Sequence, residues 1–419
     1  MRIELYTVNF AHFSIKFPVY LHGPCHPCSD IANSLLKVDV AEKPLCNHPG
    51  TSCIFSQQSS SMKKLRFCLF LFLVSFTFIA NGQFVVRGTV LDSATHEPLN
   101  LASVFCQNTT LGTTTNRQGE FSLALKSGGY DLIISYTGYK TQIVPISSSD
   151  NNKLEILLIK EEISLGEVVL KTSNEVTDGW EKYGDFFMQN FIGSTPNAKQ
   201  CVLLNHDVLK FYFYKRTNRL KVLASEALQI TNNALGYNMR YQLDSFVYYY
   251  TTNINSYKGY CLYTEMEGND SLKKTWTANR SKVYYGSKLH FMRSYYDSTL
   301  AEDGYIIDML DENNSSKFNK ITDPYDTLYY GALDSTLQIE IWYPRKFSVT
   351  YTKRKPEPEY LKKFGFPKNV STQISYIDLK DAIAIKENGY YYDQKDWVNQ
   401  GYWSWKNVAD QLPYDYLPD

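Results

Sequence analysis

Short alternating segments separated by turn residues fill residues 84–158 of the chain. Phe121, Leu123 and Leu125 alternate with polar neighbours, as expected for a strand with one buried face. Glycine-containing turns recur about every eight to twelve residues, a spacing typical of β-sandwiches and barrels. This pattern predicts an all-β sandwich over residues 83–160.

A helix followed by longer strands is predicted downstream. Apolar residues between 178 and 191 recur at helical spacing and form a single face, which includes Trp180, Phe187 and Phe191. Four alternating stretches then predict antiparallel strands at residues 209–214, 220–223, 239–250 and 260–265. We therefore expect residues 178–419 to form a mixed α+β domain with an antiparallel sheet and at least two helices, joined to the sandwich by a linker at 161–177.

A second helix is predicted from about residue 277 to 300. On a helical wheel, one side collects Asn279, Val283, Gly286, His290, Arg293 and Asp297. Histidine, arginine and aspartate on one face could bind an anion or shuttle protons. The alternative interpretation is a solvated or sheet-packed face with an ordinary Arg293–Asp297 ion pair.

The segment after Met62 has the three-part pattern of an export signal. Basic Lys63, Lys64 and Arg66 precede an apolar run at residues 67–80 and the small-residue triplet 80–82. The run is shorter than the roughly 20 apolar residues that span a bilayer. We predict a signal peptide at 62–82, with residues 1–61 a misassigned upstream segment; a membrane anchor or a buried strand is the alternative. The exported chain would reside in the periplasm, on the outer-membrane surface or outside the cell.

Cysteine spacing predicts neither a metal site nor a disulfide framework. Cys25 and Cys28 have the Cys-x-x-Cys spacing of a structural zinc site, but Cys46, His48 and Cys53 lack the paired spacing that would complete a zinc finger or ribbon. The three later cysteines, Cys106, Cys201 and Cys261, are most simply small buried apolar residues. An oxidising compartment would permit a Cys201–Cys261 bridge, but no local pattern indicates one.

Charge and aromatic content narrow the possible partners. The chain has 43 basic and 43 acidic residues, and from residue 83 onward its net charge is about −3, which argues against a nucleic acid partner. Aromatic residues are concentrated near the C-terminus, including Trp403 and Trp405. If exposed, these rings would form a platform for sugars or peptides; packing against the sheet is the alternative.

Several strings in the sandwich region carry a family resemblance. They are residues 88–92 (GTVLD), 97–99 (EPL), 119–121 (GEF) and 135–139 (SYTGY). Together they resemble the carboxypeptidase-regulatory-like domain. The resemblance implies a seven-stranded, transthyretin-like sandwich of exported Gram-negative proteins, found also in N-terminal extensions of TonB-dependent receptors. It does not imply peptidase activity.

Two further resemblances concern the rest of the chain. Residues 165–170 (LGEVVL) resemble a segment of TonB-dependent receptors that can contact the energy-coupling partner; an edge strand or linker is the alternative. Only 249 residues follow Leu170, too few for a barrel of about 22 strands. Residues 235–237 (LGY) and Trp276 with Asn279 and Arg280 resemble an uncharacterised domain that often follows the sandwich.

Familiar catalytic motifs are absent from the sequence. It contains no helical zinc-peptidase motif, no Gly-x-Ser-x-Gly elbow and no phosphate-binding loop. Ser287 and His290 could pair as nucleophile and base, but such spacings are frequent by chance. The candidate binding residues are therefore Asn279, Arg280, His290, Arg293, Trp403 and Trp405.

These observations predict a β-rich α+β envelope protein with no cofactor. We expect a non-catalytic binding or structural role toward an envelope protein, peptide or glycan partner. Two alternatives are a hydrolase with its site in 178–419, and an accessory component of a TonB-dependent outer-membrane uptake system.

Overall fold

A computed structural model describes residues 83–148, 153–161, 174–314, 316–333, 337–391 and 396–418, and the backbone of two short strands near the start. The short strands are β1 (Thr7–Phe10) and β2 (Phe13–Lys16), which pair in antiparallel fashion. The chain divides into two compact units, residues 1–78 and 79–419. The predicted signal peptide, the N-terminal cysteines and the 165–170 segment lie outside the described residues.

Seven strands form the first part of the larger unit. They are β3 (Gln83–Asp92), β4 (Ser103–Cys106), β5 (Gly112–Thr114), β6 (Glu120–Lys126), β7 (Gly129–Ser135), β8 (Gln142–Ser147) and β9 (Lys153–Leu158). One sheet has the order β6-β3-β9 and the other β5-β4-β7-β8. Phe121, Leu123 and Leu125 are buried as their alternation predicts. The predicted seven-stranded sandwich is confirmed.

A helix and a six-stranded antiparallel sheet follow. They comprise α1 (Gly179–Phe191), β10 (Cys201–Leu203), β11 (Leu209–Tyr214), β12 (Arg219–Ala224), β13 (Leu228–Asn232), β14 (Tyr237–Tyr249) and β15 (Ile254–Glu265). The long strand β14 pairs with β15 along one edge, while β13 and β12 share its other edge. Phe187 and Phe191 on α1 are fully buried, so the helix covers this sheet with its predicted apolar face.

The single helix predicted for residues 277–300 is wrong, because the chain forms three helices there. They are α2 (Asp270–Tyr284), α3 (Lys288–Tyr296) and α4 (Leu300–Asp303). Gly286 takes a φ of +88°, which an α-helix cannot contain, and the side chain of Ser287 caps α3 by accepting from the backbone N–H of His290. The predicted polar face is thus divided between two helices: Asn279 lies on α2, whereas His290 and Arg293 lie on α3.

The remaining chain forms two small sheets and two short helices. The elements are β16 (Tyr305–Leu310), β17 (Phe318–Lys320), β18 (Tyr330–Leu333), β19 (Gln338–Ile341), β20 (Phe347–Tyr351), α5 (Pro358–Phe364), β21 (Gln373–Leu379), β22 (Ile383–Lys386), β23 (Trp397–Gly401) and α6 (Tyr402–Trp405). The sheet orders are β17-β16-β20-β21-β23 and β18-β19-β22. A second aromatic core forms around α3 and these sheets. The β-rich α+β class is confirmed.

The sandwich is fixed to the rest of its unit by backbone hydrogen bonds. The N–H of Asn108 donates to the carbonyl of Cys261 at 2.7 Å, and the N–H of Tyr263 donates to the carbonyl of Thr109 at 2.9 Å. A side-chain hydrogen bond adds to these: the hydroxyl of Tyr390, which follows β22, donates to Asp131 of β7 at 2.7 Å. Because such bonds require fixed backbone geometry on both sides, the sandwich is an integral part of this unit.

Cys106 and Cys261 are buried as expected, whereas Cys201 is only half-buried. Cys106, Cys201 and Cys261 are free, so the Cys201–Cys261 bridge is not formed. Burial raises the pKa of the Cys201 thiol to about 12. Among the residues that the structure describes, no helix combines the length and the apolar character needed to cross a bilayer.

Candidate functional site

A cavity of about 280 Å³ opens where the sandwich, the six-stranded sheet and the C-terminal segment meet. This volume is near the lower end of the range for small-molecule sites, about 300–1,000 Å³. Most of the groups that line it, from these regions and from α2, are charged, hydroxyl or aromatic: Thr110, Tyr237, Glu265, Thr277, Arg280, Pro413, Asp415, Tyr416 and Leu417. One of the six residues selected from the sequence, Arg280, is among them.

Arg280 forms the cationic wall of the cavity. Its Nε donates to the carbonyl of Leu235 at 2.7 Å, and its Nη2 donates to that of Gly236 at 3.1 Å. Its Nη1 donates to Glu265 Oε1 at 2.7 Å. The guanidinium carbon lies 3.9 Å from the ring centroid of Tyr237, a cation–π contact. The Arg280 side chain is only 11% exposed whereas that of Glu265 is 65% exposed, so the pair extends from the protein interior to solvent.

The turn beneath Arg280 depends on two neighbouring side chains of α2. Trp276 Nε1 donates to the carbonyl of Asn233 at 2.9 Å, and Asn279 Nδ2 donates to that of Ala234 at 2.8 Å. Gly236, at φ +69°, lies so close to Trp276 that an added Cβ would be 2.2 Å from its ring. Asn279 therefore holds the turn that orients Arg280, and it does not line the cavity itself.

Tyr237 places a hydroxyl without a protein partner at the cavity wall. The residue is 1% exposed and lines the cavity, yet no described group forms a hydrogen bond with its hydroxyl. Burial raises the pKa of Tyr237, Arg280 lowers it, and Glu265 and Asp415 raise it further. Because a phenolic hydroxyl both donates and accepts, this group at the cavity wall is a position where a ligand or a water molecule can form a hydrogen bond.

The C-terminal segment closes the cavity and is held by Arg293. The guanidinium of Arg293 donates to the carbonyls of Tyr416 and Tyr414, each at 2.9 Å, and to that of Asn388 at 3.1 Å. Asp415 lies between the two tyrosines and accepts hydrogen bonds from both the N–H and the hydroxyl of Thr110. Arg293 thus supports the site from behind.

His290 lies in a buried network of its own. Its Nδ1 is 2.8 Å from the hydroxyl of Tyr305 and 3.2 Å from the backbone nitrogen of Gly286, which donates to it. Burial lowers the pKa of His290 to about 4, although nearby Asp303 raises it. Ser287 Oγ accepts from the backbone N–H of His290 at 3.1 Å, so the hydroxyl of Ser287 caps helix α3.

The two candidate tryptophans are buried. Trp403 is 7% exposed and Trp405 is 3% exposed. Trp403 Nε1 donates to the carbonyl of Gly286 at 2.8 Å, and Trp405 Nε1 donates to Ser194 Oγ at 3.2 Å. Neither ring provides the exposed platform considered from the sequence, because each packs against neighbouring aromatic rings.

The sequence thus indicated part of the site and missed the rest. The sequence resemblance to an uncharacterised domain includes both residues 235–237 and the pair Asn279–Arg280. The structure brings these two segments into contact. Glu265, Asp415 and Thr110 carried no recognisable signal, since they meet Arg280 and Tyr237 only through the tertiary fold. Within the described residues, no group of three histidine, cysteine or acidic side chains is arranged to hold a metal ion.

The fold and this site define a β-rich protein whose N-terminal sandwich forms part of a polar cavity. Residues 86–170 match the family described as the CarboxypepD_reg-like domain. The match covers the sandwich, which confirms the resemblance seen in its sequence strings.

Two bacterial receptors are similar to part of the chain. TonB-dependent receptor P39 of Formosa agariphila is 36% identical over 116 residues, and TonB-dependent receptor SusC of Bacteroides thetaiotaomicron is 35% identical over 88 residues. These regions are 27% and 21% of this chain but span only 11% and 8% of the receptors.

Solved structures add no functional argument. A DUF3823 family protein from Bacteroides ovatus is 10% identical, and the match covers 45% of this chain and 83% of that one, with a TM-score of 0.16. A score this low establishes no common fold.

Proposed function

We propose that the protein is an exported, non-catalytic binding protein of the bacterial cell envelope, and that the cavity at Arg280 and Tyr237 is its binding site. The observation that carries this proposal is that three separate parts of the fold form the walls of the cavity. Thr110 comes from the sandwich, Arg280 from α2 and Asp415 from the C-terminal segment. The sandwich therefore contributes directly to the site, in addition to any role as a spacer.

The polar groups of the cavity support binding because they are already oriented. Arg280 is fixed by two carbonyls and one carboxylate, and Asp415 by two donors of Thr110. Side chains held in this way lose little conformational entropy when a ligand binds, which favours affinity. The unpartnered hydroxyl of Tyr237 would gain a hydrogen bond in the complex.

The hydrolase alternative, placed at Asn279, His290 and Arg293, finds less support. Asn279 and Arg293 donate to backbone carbonyls, and His290 is buried against Tyr305. None of the three lines the described cavity. The second candidate function is an accessory component of a TonB-dependent uptake system, favoured by the similarity to two such receptors. Co-purification of a receptor with the protein from detergent-solubilised outer membranes would favour this candidate.

A thermal-shift panel tests the proposed function. The probes are short peptides and short neutral oligosaccharides, added to the chain from residue 83 onward. A ligand present at 100 times its dissociation constant stabilises the folded state by about 2.7 kcal/mol, so a bound probe raises the Tm. We expect one probe class to do so, and mass spectrometry to recover that probe unchanged.

Two substitutions in helix α2 test whether the increase in Tm arises from binding in the cavity. Thr277→Trp places a large side chain in the cavity wall and should abolish the shift, whereas Thr275→Trp, on the exposed side of the same helix, should preserve it. The Tm without probe verifies that both variants fold. No shift with either class, or recovery of a cleaved probe, would contradict the proposal.

A further inference from the structure

The charges of the cavity indicate what kind of ligand it takes. Arg280 and Glu265 neutralise each other through their 2.7 Å hydrogen bond, which leaves the carboxylate of Asp415 as the excess charge. The cavity is formally −1, so a ligand group that carries one positive charge complements it.

The donors of the cavity indicate a second ligand group. The Tyr237 hydroxyl has no hydrogen-bond acceptor, and Arg280 uses three of its five N–H groups on Leu235, Gly236 and Glu265. The remaining donors require an oxygen acceptor on the ligand. A suitable ligand therefore combines a cation with an acceptor oxygen nearby.

We propose that the cavity recognises an α-ammonium group together with its adjacent carbonyl or carboxylate oxygen, the chemistry shared by a free amino acid and the N-terminal residue of a peptide. The inference rests on the proposed function and specifies the ligand of that same site. The ammonium group faces Asp415 and Glu265, and the oxygen accepts from Tyr237 and Arg280. The volume of about 280 Å³ suits one residue and not a long peptide.

The surroundings of Asp415 favour an ammonium ligand over a neutral one. Thr110 donates to both carboxylate oxygens, which positions them while each retains a lone pair. Hydrogen bonds between an ammonium group and a carboxylate are stronger than those between neutral groups. A neutral sugar would leave the excess negative charge of the cavity uncompensated.

Calorimetric titration of the chain from residue 83 onward with four probes tests the inference. The probes are alanine, trialanine, trialanine amide and N-acetyl-trialanine. We expect trialanine and its amide to bind and the acetylated peptide, which lacks the ammonium group, to bind at least about tenfold more weakly. Alanine distinguishes the two ligand sources: binding equal to that of trialanine indicates a free amino acid site, and weaker binding indicates a peptide N-terminus.

Charge-neutralising variants identify the carboxylates involved. Asp415→Asn should raise the Kd of trialanine about 10- to 100-fold, and Glu265→Gln should raise it severalfold. Glu267→Gln changes an exposed residue two positions after Glu265 that does not line the cavity; it is the matched control and should leave the Kd unchanged. Because Asp415→Asn could loosen the C-terminal segment, the Glu265 variant keeps the test independent of that segment.

The outcomes separate the two proposals. If N-acetyl-trialanine binds as well as trialanine, or if only neutral oligosaccharides bind in a manner that Thr277→Trp abolishes, the ligand assignment is wrong while the binding function stands. If no peptide or sugar probe binds at all, both proposals fail.

Discussion

Thr110 and Asp415 are joined by two hydrogen bonds, although 305 residues separate them in the chain. The backbone N–H of Thr110 donates to Asp415 Oδ1 at 3.0 Å, and its hydroxyl donates to Oδ2. One residue belongs to the sandwich and the other to the C-terminal segment, and both line the same cavity. Through this contact the sandwich forms part of the cavity wall and holds the C-terminal segment beside it.

Removing the hydroxyl from this contact should destabilise the protein. Thr110→Val leaves the backbone donor in place but deprives Asp415 Oδ2 of its partner, which should cost about 1–3 kcal/mol because the acceptor is charged. The free energy of unfolding in urea measures the loss. Thr114→Val, at an exposed threonine of the same sandwich, is the control and should change it by less than about 0.5 kcal/mol.

Acid should destabilise the protein through His290. The pKa of this buried imidazole is lowered from 6.5 to about 4, so below pH 6.5 the unfolded chain takes up a proton that the folded chain excludes. Its contribution to stability is complete above pH 6.5 and is lost progressively down to about pH 4. The loss is roughly 3 kcal/mol at 1.36 kcal/mol per pKa unit.

Unfolding free energies between pH 7 and 4 measure this effect. His290→Gln should be less stable than the wild type at pH 7 and should show a flatter decline toward pH 4. His206→Gln removes an exposed histidine and should keep the slope of the wild type. Equal slopes in the wild type and His290→Gln would show that another group controls the acid response.

Gly236 should tolerate no side chain, for two separable reasons. Its φ of +69° costs an L-residue about 1–2 kcal/mol, and an added Cβ would lie 2.2 Å from the ring of Trp276. We expect Gly236→Ala to destabilise the protein by about 3 kcal/mol or more, since the packed ring must also move.

Gly365 provides the matched control for that substitution. It has the same φ of +69°, but nothing lies within 4 Å of an added Cβ. Gly365→Ala should therefore show the backbone cost alone, measured by urea unfolding. Equal losses at the two positions would mean that the contact between Gly236 and Trp276 carries no energy.

Local patterns predicted the elements better than the site. The alternation at Phe121, Leu123 and Leu125 identified β6, because a half-buried strand imposes that period on the sequence. The prediction of one helix over residues 277–300 failed because the helical spacing of apolar residues continues through Gly286. The break between helices α2 and α3 depends instead on the Ser287 cap and on Trp403, which donates a hydrogen bond to the Gly286 carbonyl.

The charged groups of the cavity were beyond local inference. Arg280 was selected through its neighbours in the chain, but nothing near Asp415 in the sequence indicates that Thr110 will face it. Such a pairing is a product of tertiary structure. The sequence pattern suggested that Arg293 could help to bind an anion. In the structure it instead holds the backbone of the segment that carries Asp415.

The central claim is that the unpartnered hydroxyl of Tyr237 exists to meet a ligand, and paired measurements on Tyr237→Phe and Tyr263→Phe test it. Both tyrosines are 1% exposed, but only Tyr237 lines the cavity. Neither substitution should reduce the free energy of unfolding by more than about 0.5 kcal/mol, because no protein hydrogen bond is lost. Tyr237→Phe should raise the Kd of trialanine about 3- to 10-fold, while Tyr263→Phe should leave it unchanged. Unchanged affinity in Tyr237→Phe, or an equal change in both variants, would contradict the account.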